Sequence, residues 1–282
     1  IRYYGASPNN YIYFNCDDYS NQTSSTCEVW RIIGVFEGKV KIMRGSQIGT
    51  YSWDNKNAST GAETANGKND WSTARLMKLL NPSDYYEVDS NDNEIGQSLY
   101  WNRKSGYCFA GQNNATKACD FTSIGLKNDT TRKMISESMW YLRGYNSSSV
   151  YSDQIYEYER TKGSAGGPTS WKGKIALAYP SDYGYAADFG QCTKQLGSYK
   201  DSTCTSNNWM KSIITNNGGN NGWLLTPYSG GSTYAWYVYS SGSATGNNTY
   251  NTYGAVPVLY LGSELEIKAG DGKSDSPYQL SA

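Results

Sequence analysis

The stretch "VWRIIGVFEGKVKIMRG", Val29 to Gly45, holds two apolar-rich runs, Val29 to Phe36 and Val40 to Arg44, on either side of Glu37-Gly38. A two-residue connection ending in glycine predicts a tight hairpin, because such a loop needs positive φ, which glycine adopts at no steric cost. The segment therefore opens an antiparallel sheet. Just before it, "YIYFN" alternates as a further strand.

Downstream the periodicity changes. In "NDWSTARLMKLLN", Leu76, Leu79 and Leu80 form one apolar stripe and Asp70 or Ser72 can cap, which predicts a short helix. A second helix is expected from Asp129 in "NDTTRKMISESMWYL", with Ile135, Met139 and Leu142 spaced by four and three. A third covers "SNNWMKSIITN". Ile175 to Tyr179 reads as a buried strand that Pro180 stops, leading into a loop; "GWLLTP", "YAWYVY" and "AVPVLYL" follow as strands between Gly/Ser/Asn turns. The tail "ELEIKAGDGKSDSPYQL" adds a strand, a tight turn and a closing extended segment. No repeat and no linker divides the 282 residues. The expectation is one α+β domain, residues 1–282, of mixed, mainly antiparallel sheets with about three short helices and long polar loops.

Six cysteines fall as three near neighbours: Cys16 and Cys27, Cys108 and Cys119, Cys192 and Cys204. Fifteen pairings are possible. Each neighbouring pair encloses a largely polar loop, as in "CDDYSNQTSSTC", which suggests three stapled loops, each closure contributing roughly 3 kcal/mol in the chain-entropy model. Zinc is the rival, but the spacing of two to four residues typical of zinc ligands is missing and the chain has no histidine.

Composition narrows the function. The chain carries 27 Tyr, 9 Trp and 30 Gly, with 25 basic against 25 acidic residues, so no overall field favours nucleic acid or anionic membrane. No apolar run is long enough for a membrane span, and a chain starting at Ile1 reads as a mature or trimmed, extracellular ectodomain. Without histidine, no Ser-His-Asp or Cys-His pair exists; a carboxylate-based glycan hydrolase remains open, with Asp182, Asp188, Glu157 and Glu159 as its acids. Calcium is a weak option at Asp89 to Glu94 or Asp271 to Ser276, and no other cofactor is expected. Asn-x-Ser/Thr triplets stand at Asn21, Asn57, Asn114, Asn128, Asn146 and Asn247.

The blocks "EVWRIIGVFEGKVKIMR", "WSTARLMKLLN", "WKGKIALAYPSDYGYA", "GWLLTP" and "GAVPVLYL", with "GDGKSDSPYQL" after them, resemble in order those of surface proteins from gut Firmicutes. That group is similar to a divergent branch of the C-type-lectin-like fold, related in architecture to formylglycine-generating enzymes and to the variable proteins of diversity-generating retroelements. The resemblance implies a display domain that presents a ligand face from its carboxy-terminal third. Where relatives read Gly-x-Arg-Pro, this chain has Gly254-Ala255-Val256-Pro257; the calcium-sugar motifs of animal lectins are also missing.

Nothing from Ser212 to Ser263 carries a formal charge, yet the segment is dense in Tyr, Ser, Gly and Asn. That is the composition of antibody binding loops, where rigid amphipathic rings combine with adaptable hydrogen-bonding groups. In "YAWYVY", alternation sets Trp236 and Val238 against Tyr237 and Tyr239, so the tyrosines point outward if the first pair is core. Retroelement mutagenesis acts on asparagine-type codons. On that resemblance Tyr228, Ser229, Tyr234, Tyr237, Tyr239, Asn247, Asn248, Tyr250, Asn251 and Tyr253 are expected to form a hypervariable face for a protein or glycan. Two alternatives stand beside it: the tyrosines fill a half-buried sheet, or they meet the next copy in a pilus or surface layer.

Overall fold

The computed structural model describes residues 1–55, 67–82, 97–108 and 117–281. The amino-terminal part supplies β1 (Tyr11–Phe14), β2 (Glu28–Phe36), β3 (Lys39–Arg44), β4 (Thr50–Ser52), α1 (Arg75–Leu80), α2 (Leu99–Asn102), β5 (Ser105–Cys108) and β6 (Lys117–Asp120). Next come α3 (Asp129–Met134), β7 (Ile135–Ser136), β8 (Ser138–Gly144), α4 (Ser152–Glu157) with a π-helical turn (Tyr158–Lys162), β9 (Ser164–Gly173), β10 (Ile175–Ala176) and α5 (Pro180–Tyr185). The remainder forms α6 (Ser202–Thr205), α7 (Trp209–Ile214), β11 (Gly222–Pro227), β12 (Tyr234–Val238), β13 (Ala244–Asn248), β14 (Thr252–Gly254), β15 (Val258–Leu261), β16 (Ile267–Ala269) and β17 (Gln279–Leu280).

The fold is α+β with mainly antiparallel sheets, and it has seven short α-helices among the described residues where about three were expected. One sheet runs β1-β2-β3-β15-β10, with β7 also on β15; the other runs β13-β12-β11-β14-β4. Trp30, Trp53, Trp71, Trp140, Trp223 and Trp236 are all fully buried in a core that spans both sheets. Several indole N–H groups find backbone carbonyls, Trp53 on Leu224 at 3.0 Å and Trp223 on Tyr51 at 2.8 Å, as a buried donor requires.

The β2–β3 hairpin turns at Glu37 (φ 51°) and Gly38 (φ 78°), both left-handed. This is the primed turn whose twist matches the strands, and its first position favours asparagine over glutamate. Glu37→Asn is expected to raise stability by about 0.5 kcal/mol, read as an upward shift of the urea midpoint; a downward shift would contradict the turn assignment. Further along β2 the register slips between Ile32 and Gly34, and the chain's first residues lie against the strand. Val35 N–H donates to the Ile1 carbonyl at 2.9 Å and Tyr3 N–H to that of Ile33 at 3.0 Å. A Cβ on Gly34 would sit 2.3 Å from the Ile1 oxygen, so glycine permits the approach that places Arg2.

Two expectations are corrected here. The helix from Asp129 ends at Met134, and Ser138 to Gly144 is strand β8, with Trp140 and Leu142 buried while Met139 is exposed. Ile135, Met139 and Leu142 matched a helical spacing only by coincidence; the Trp-Tyr pair suits a strand, and pairing with β9 decided it. After the short β10, Pro180 opens α5 rather than a loop. Its missing N–H costs nothing at the first helical position, and Asp182 Oδ2 accepts Tyr179 N–H at 2.9 Å. Helix α1 starts later than its sequence suggests: Asp70 closes the preceding turn on Ser72 N–H (3.0 Å), and Asp54 Oδ1 accepts from Arg75 N–H (3.1 Å).

The cysteines pair as Cys16–Cys27, Cys108–Cys119 and Cys192–Cys204. Three disulfides point to an oxidising, extracellular compartment. Among the described residues no helix is long and apolar enough to cross a membrane.

Candidate ligand-binding surfaces

The carboxy-terminal sheet gathers an aromatic stack. Antiparallel pairing sets Trp223 opposite Tyr237, and the parallel step between β11 and β14, Gly222 opposite Gly254, brings Asn221 and Trp223 beside Tyr253. Tyr253 lies 4.6 Å from Trp223 and stacks on Tyr237 at 4.9 Å; Tyr237 meets Tyr239 edge-on at 6.4 Å. Asn247 Nδ2 donates to the Tyr253 hydroxyl at 2.7 Å, while its Oδ1 accepts from Asn251 Nδ2 at 3.1 Å and Asn248 N–H at 2.8 Å. Burial pushes the Tyr253 hydroxyl's pKa up against the pull of hydrogen bonds with Asn221, Asn251 and Asn247, so the phenol is neutral across the physiological range.

Tyr237 takes the face opposite Trp236, as alternation demands, but it does not stand out into solvent. It is 6% exposed, roofed by Trp223, Tyr253 and Tyr239. Tyr239 lies just past the strand end, where its backbone N–H bonds the Ser243 carbonyl (2.8 Å) and its carbonyl accepts from Gly242 (2.7 Å); its ring is 48% exposed.

The other expected positions fall elsewhere. Tyr228 packs on Trp236 at 5.2 Å, and a Cβ on Gly246 would collide with its ring, so glycine makes the room. Ser229 Oγ donates to the Gly144 carbonyl at 3.2 Å. The exposed Tyr234 pairs across the ladder with Asn248, in step with Trp236 rather than Tyr237. Tyr250 is half-buried, and its carbonyl accepts from Ser52 Oγ at 2.6 Å. The ten positions thus divide between the two sides of the sheet. Tyr237, Tyr239, Asn247, Asn251 and Tyr253 come together, joined by Trp223 and Asn221; Asn221 was not a sequence candidate because only the parallel step brings it there.

A groove of 470 Å³ elsewhere escaped sequence reasoning altogether. Its rings are Tyr151 (45% exposed), Phe189 (47%), Tyr185 and the buried Tyr199, fringed by Asp153, Gln154 and Lys194. No periodicity in the sequence joins residues 151–154 to 185–194; the packing of α4 against α5 does.

The carboxylates considered for hydrolysis take three different roles. Asp188 Oδ1 closes a turn on Gly190 N–H (2.8 Å), and Glu157 pairs with Lys162 at the surface. Asp182 and Glu159 are buried beneath β3. Lys41, fully buried, forms an ion pair with Asp182, its ammonium 4.4 Å from the centre of Tyr179 and 5.2 Å from that of Trp140. Burial would push the Asp182 carboxyl up, but Lys41 and Arg2 outweigh it and hold it below the usual range. Burial lowers Lys41 to about 8. Glu159 accepts from Ser181 N–H (2.8 Å), Ser181 Oγ and Arg160 Nη1 (3.0 Å), yet burial still pushes its carboxyl up to about 7.

Of the calcium candidates, Asp271 is engaged by Lys273 Nζ at 2.6 Å, and Asp89 to Glu94 lies outside the described residues, as do Asn57 and Asn114. Asn128 caps α3, its Oδ1 accepting Thr131 N–H at 2.9 Å. Among the described residues no cluster of three metal-ligating side chains occurs.

No protein-family description, curated protein or solved structure matches the chain.

Proposed function

We propose that the chain is a non-catalytic recognition domain of a bacterial surface protein, with a C-type-lectin-like architecture, that contacts a neutral glycan through the Tyr239–Tyr253–Asn251 surface. The observation that carries this reading is the rigid, uncharged stack of Trp223, Tyr253 and Tyr237, locked by the Asn247 amide and ending in the exposed ring of Tyr239. A ring face next to amides is the chemistry that stacks on a pyranose and hydrogen-bonds its hydroxyls. Preorganisation matters because the side-chain ordering cost of binding has already been met in the free protein.

The test is a glycan array followed by calorimetry with Tyr239→Ser and Asn251→Ala. Both are expected to lose about tenfold or more in affinity; Tyr239→Ser, at an exposed ring, should keep the wild-type urea midpoint, while Asn251→Ala, which also gives up the hydrogen bond to Asn247 Oδ1, should cost about 1 kcal/mol of stability. Binding that survives both substitutions moves the site elsewhere, and a protein ligand lost with the same variants replaces glycan by protein. Concentration-dependent self-association of the purified chain, abolished by Tyr239→Ser in sedimentation, would instead establish a structural subunit.

A further inference from the structure

Between the tip of the β2–β3 hairpin, strand β8 and the π-helical turn lies a cleft of 290 Å³ that shares no residue with the Tyr239 surface. Its cations are Arg160 and Lys39. The Arg160 guanidinium lies 3.5 Å from the centre of the Tyr156 ring; Nη1 donates to Glu159 Oε2 and to the Tyr156 carbonyl, while Nε and Nη2 have no acceptor among the described residues. Lys39 Nζ reaches Ser138 Oγ at 3.2 Å on the same cleft. Behind the wall formed by Phe36 and Tyr156 stands Arg2, 5.0 Å from each ring, with a buried Nη1 that has no hydrogen-bond partner among the described residues.

Charge and size define the occupant. Four cations, Arg2, Lys39, Lys41 and Arg160, face or underlie the cleft against three carboxylates, Glu37 at the rim and the buried Glu159 and Asp182. With Glu159 ionised the balance is one positive charge, and with Glu159 protonated it is two; either attracts a small carboxylate. A volume at the low end of ligand sites, about 300 Å³, admits a single ring. Val35 and Met139, exposed at 38% and 49%, offer that ring apolar contact.

We propose that this cleft binds a small ring-bearing carboxylate, an acidic monosaccharide or an aromatic acid, gripped by the unpaired edge of Arg160 with Lys39 as the second cation. Arg160 suits the task because its planar fork matches a carboxylate in two parallel hydrogen bonds. Glu159 competes for the same guanidinium. The groups facing Glu159 are Arg160 beside it, Ser181, Asp182 and Tyr185 from α5, Tyr179 just before that helix and Lys41 from β3. With its carboxyl near 7, protonation at lower pH releases Arg160 for the ligand, so binding takes up a proton and tightens as pH falls.

Calorimetry on the intact chain with glucuronate, 4-hydroxybenzoate and uncharged methyl glucoside tests this. At least one acid is expected to bind and methyl glucoside not, with affinity weaker at about pH 8 than at about pH 6. Lys39→Ala should weaken binding about fivefold and Glu37→Asn, which removes the rim carboxylate, tighten it about threefold. Both substitutions lie at the hairpin tip, away from the buried ion pair, so folding is preserved. Glucuronate alone would identify a sugar acid and 4-hydroxybenzoate alone an aromatic acid. Binding of neither acid, or binding that both variants leave unchanged, overturns the proposal and leaves the Tyr239 surface untouched.

Discussion

Replacing Lys41 with methionine is expected to destabilise the chain by about 3–5 kcal/mol, because it strands a buried carboxylate. Asp182 is 2% exposed, and its Oδ1 already lacks a hydrogen bond among the described residues. Its negative charge is balanced mainly by the Lys41 ammonium, which four rings surround within 5.5 Å: Phe36, Trp140, Tyr179 and Tyr260. Methionine fills much of the lysine volume, so the loss reports charge rather than a cavity. The companion variant, Lys41→Met with Asp182→Asn, removes both charges while the asparagine oxygen still accepts Tyr179 N–H, and it should recover most of the stability. Urea unfolding of the three proteins decides the matter. A single variant as stable as the parent would show that the pair contributes nothing, and a double variant no better than the single would trace the loss to packing.

Stability should also fall as pH rises from about 5 to about 7.5, by about 3 kcal/mol, through Glu159. Its carboxyl is raised from the usual 4.5 to about 7 in the folded chain by burial. Between those values the folded state holds the proton and the unfolded state has lost it. The contribution is therefore complete below about 4.5 and disappears as pH passes through 7. Asp182, held below its normal range, brings the acid limb, with stability lost below about pH 4. Equilibrium unfolding across pH in the parent and in Glu159→Gln is the measurement. The glutamine oxygen can still accept from Arg160 and Ser181 Oγ, and the side chain does not ionise, so its profile should be flat where the parent declines. A parent whose stability rises from pH 5 to 7 would sink the assignment of Glu159 as a buried, protonated acid.

These two charge effects and the two proposed sites differ in how far the residues announce them. The hairpin at Glu37-Gly38, the strands "GWLLTP" and "YAWYVY", the helices within residues 70–81 and 206–216 and the three cysteine pairs were readable because each is set by neighbours in sequence: turn φ, alternation, an apolar stripe, loop closure. Helices α2, α4, α5 and α6 were not. None of them repeats apolar residues at spacings of three and four as Leu76, Leu79 and Leu80 do in α1 and Met210, Ile213 and Ile214 in α7, and each is held by packing rather than propensity.

What the sequence determined by itself is the aromatic, charge-free character of residues 212–263 and the alternation that sends Trp236 inward and Tyr237 to the opposite face. Only the tertiary structure decided which tyrosines keep company. The parallel step of β11 beside β14 put Trp223 and Asn221 next to Tyr253 and buried Tyr237, while Tyr228 went over Gly246 to the other side. The same holds for the ion pair, whose members stand 141 residues apart. Local rules fix where a side chain points along its own strand, and nothing local says which strand, separated by a long loop, will arrive beside it.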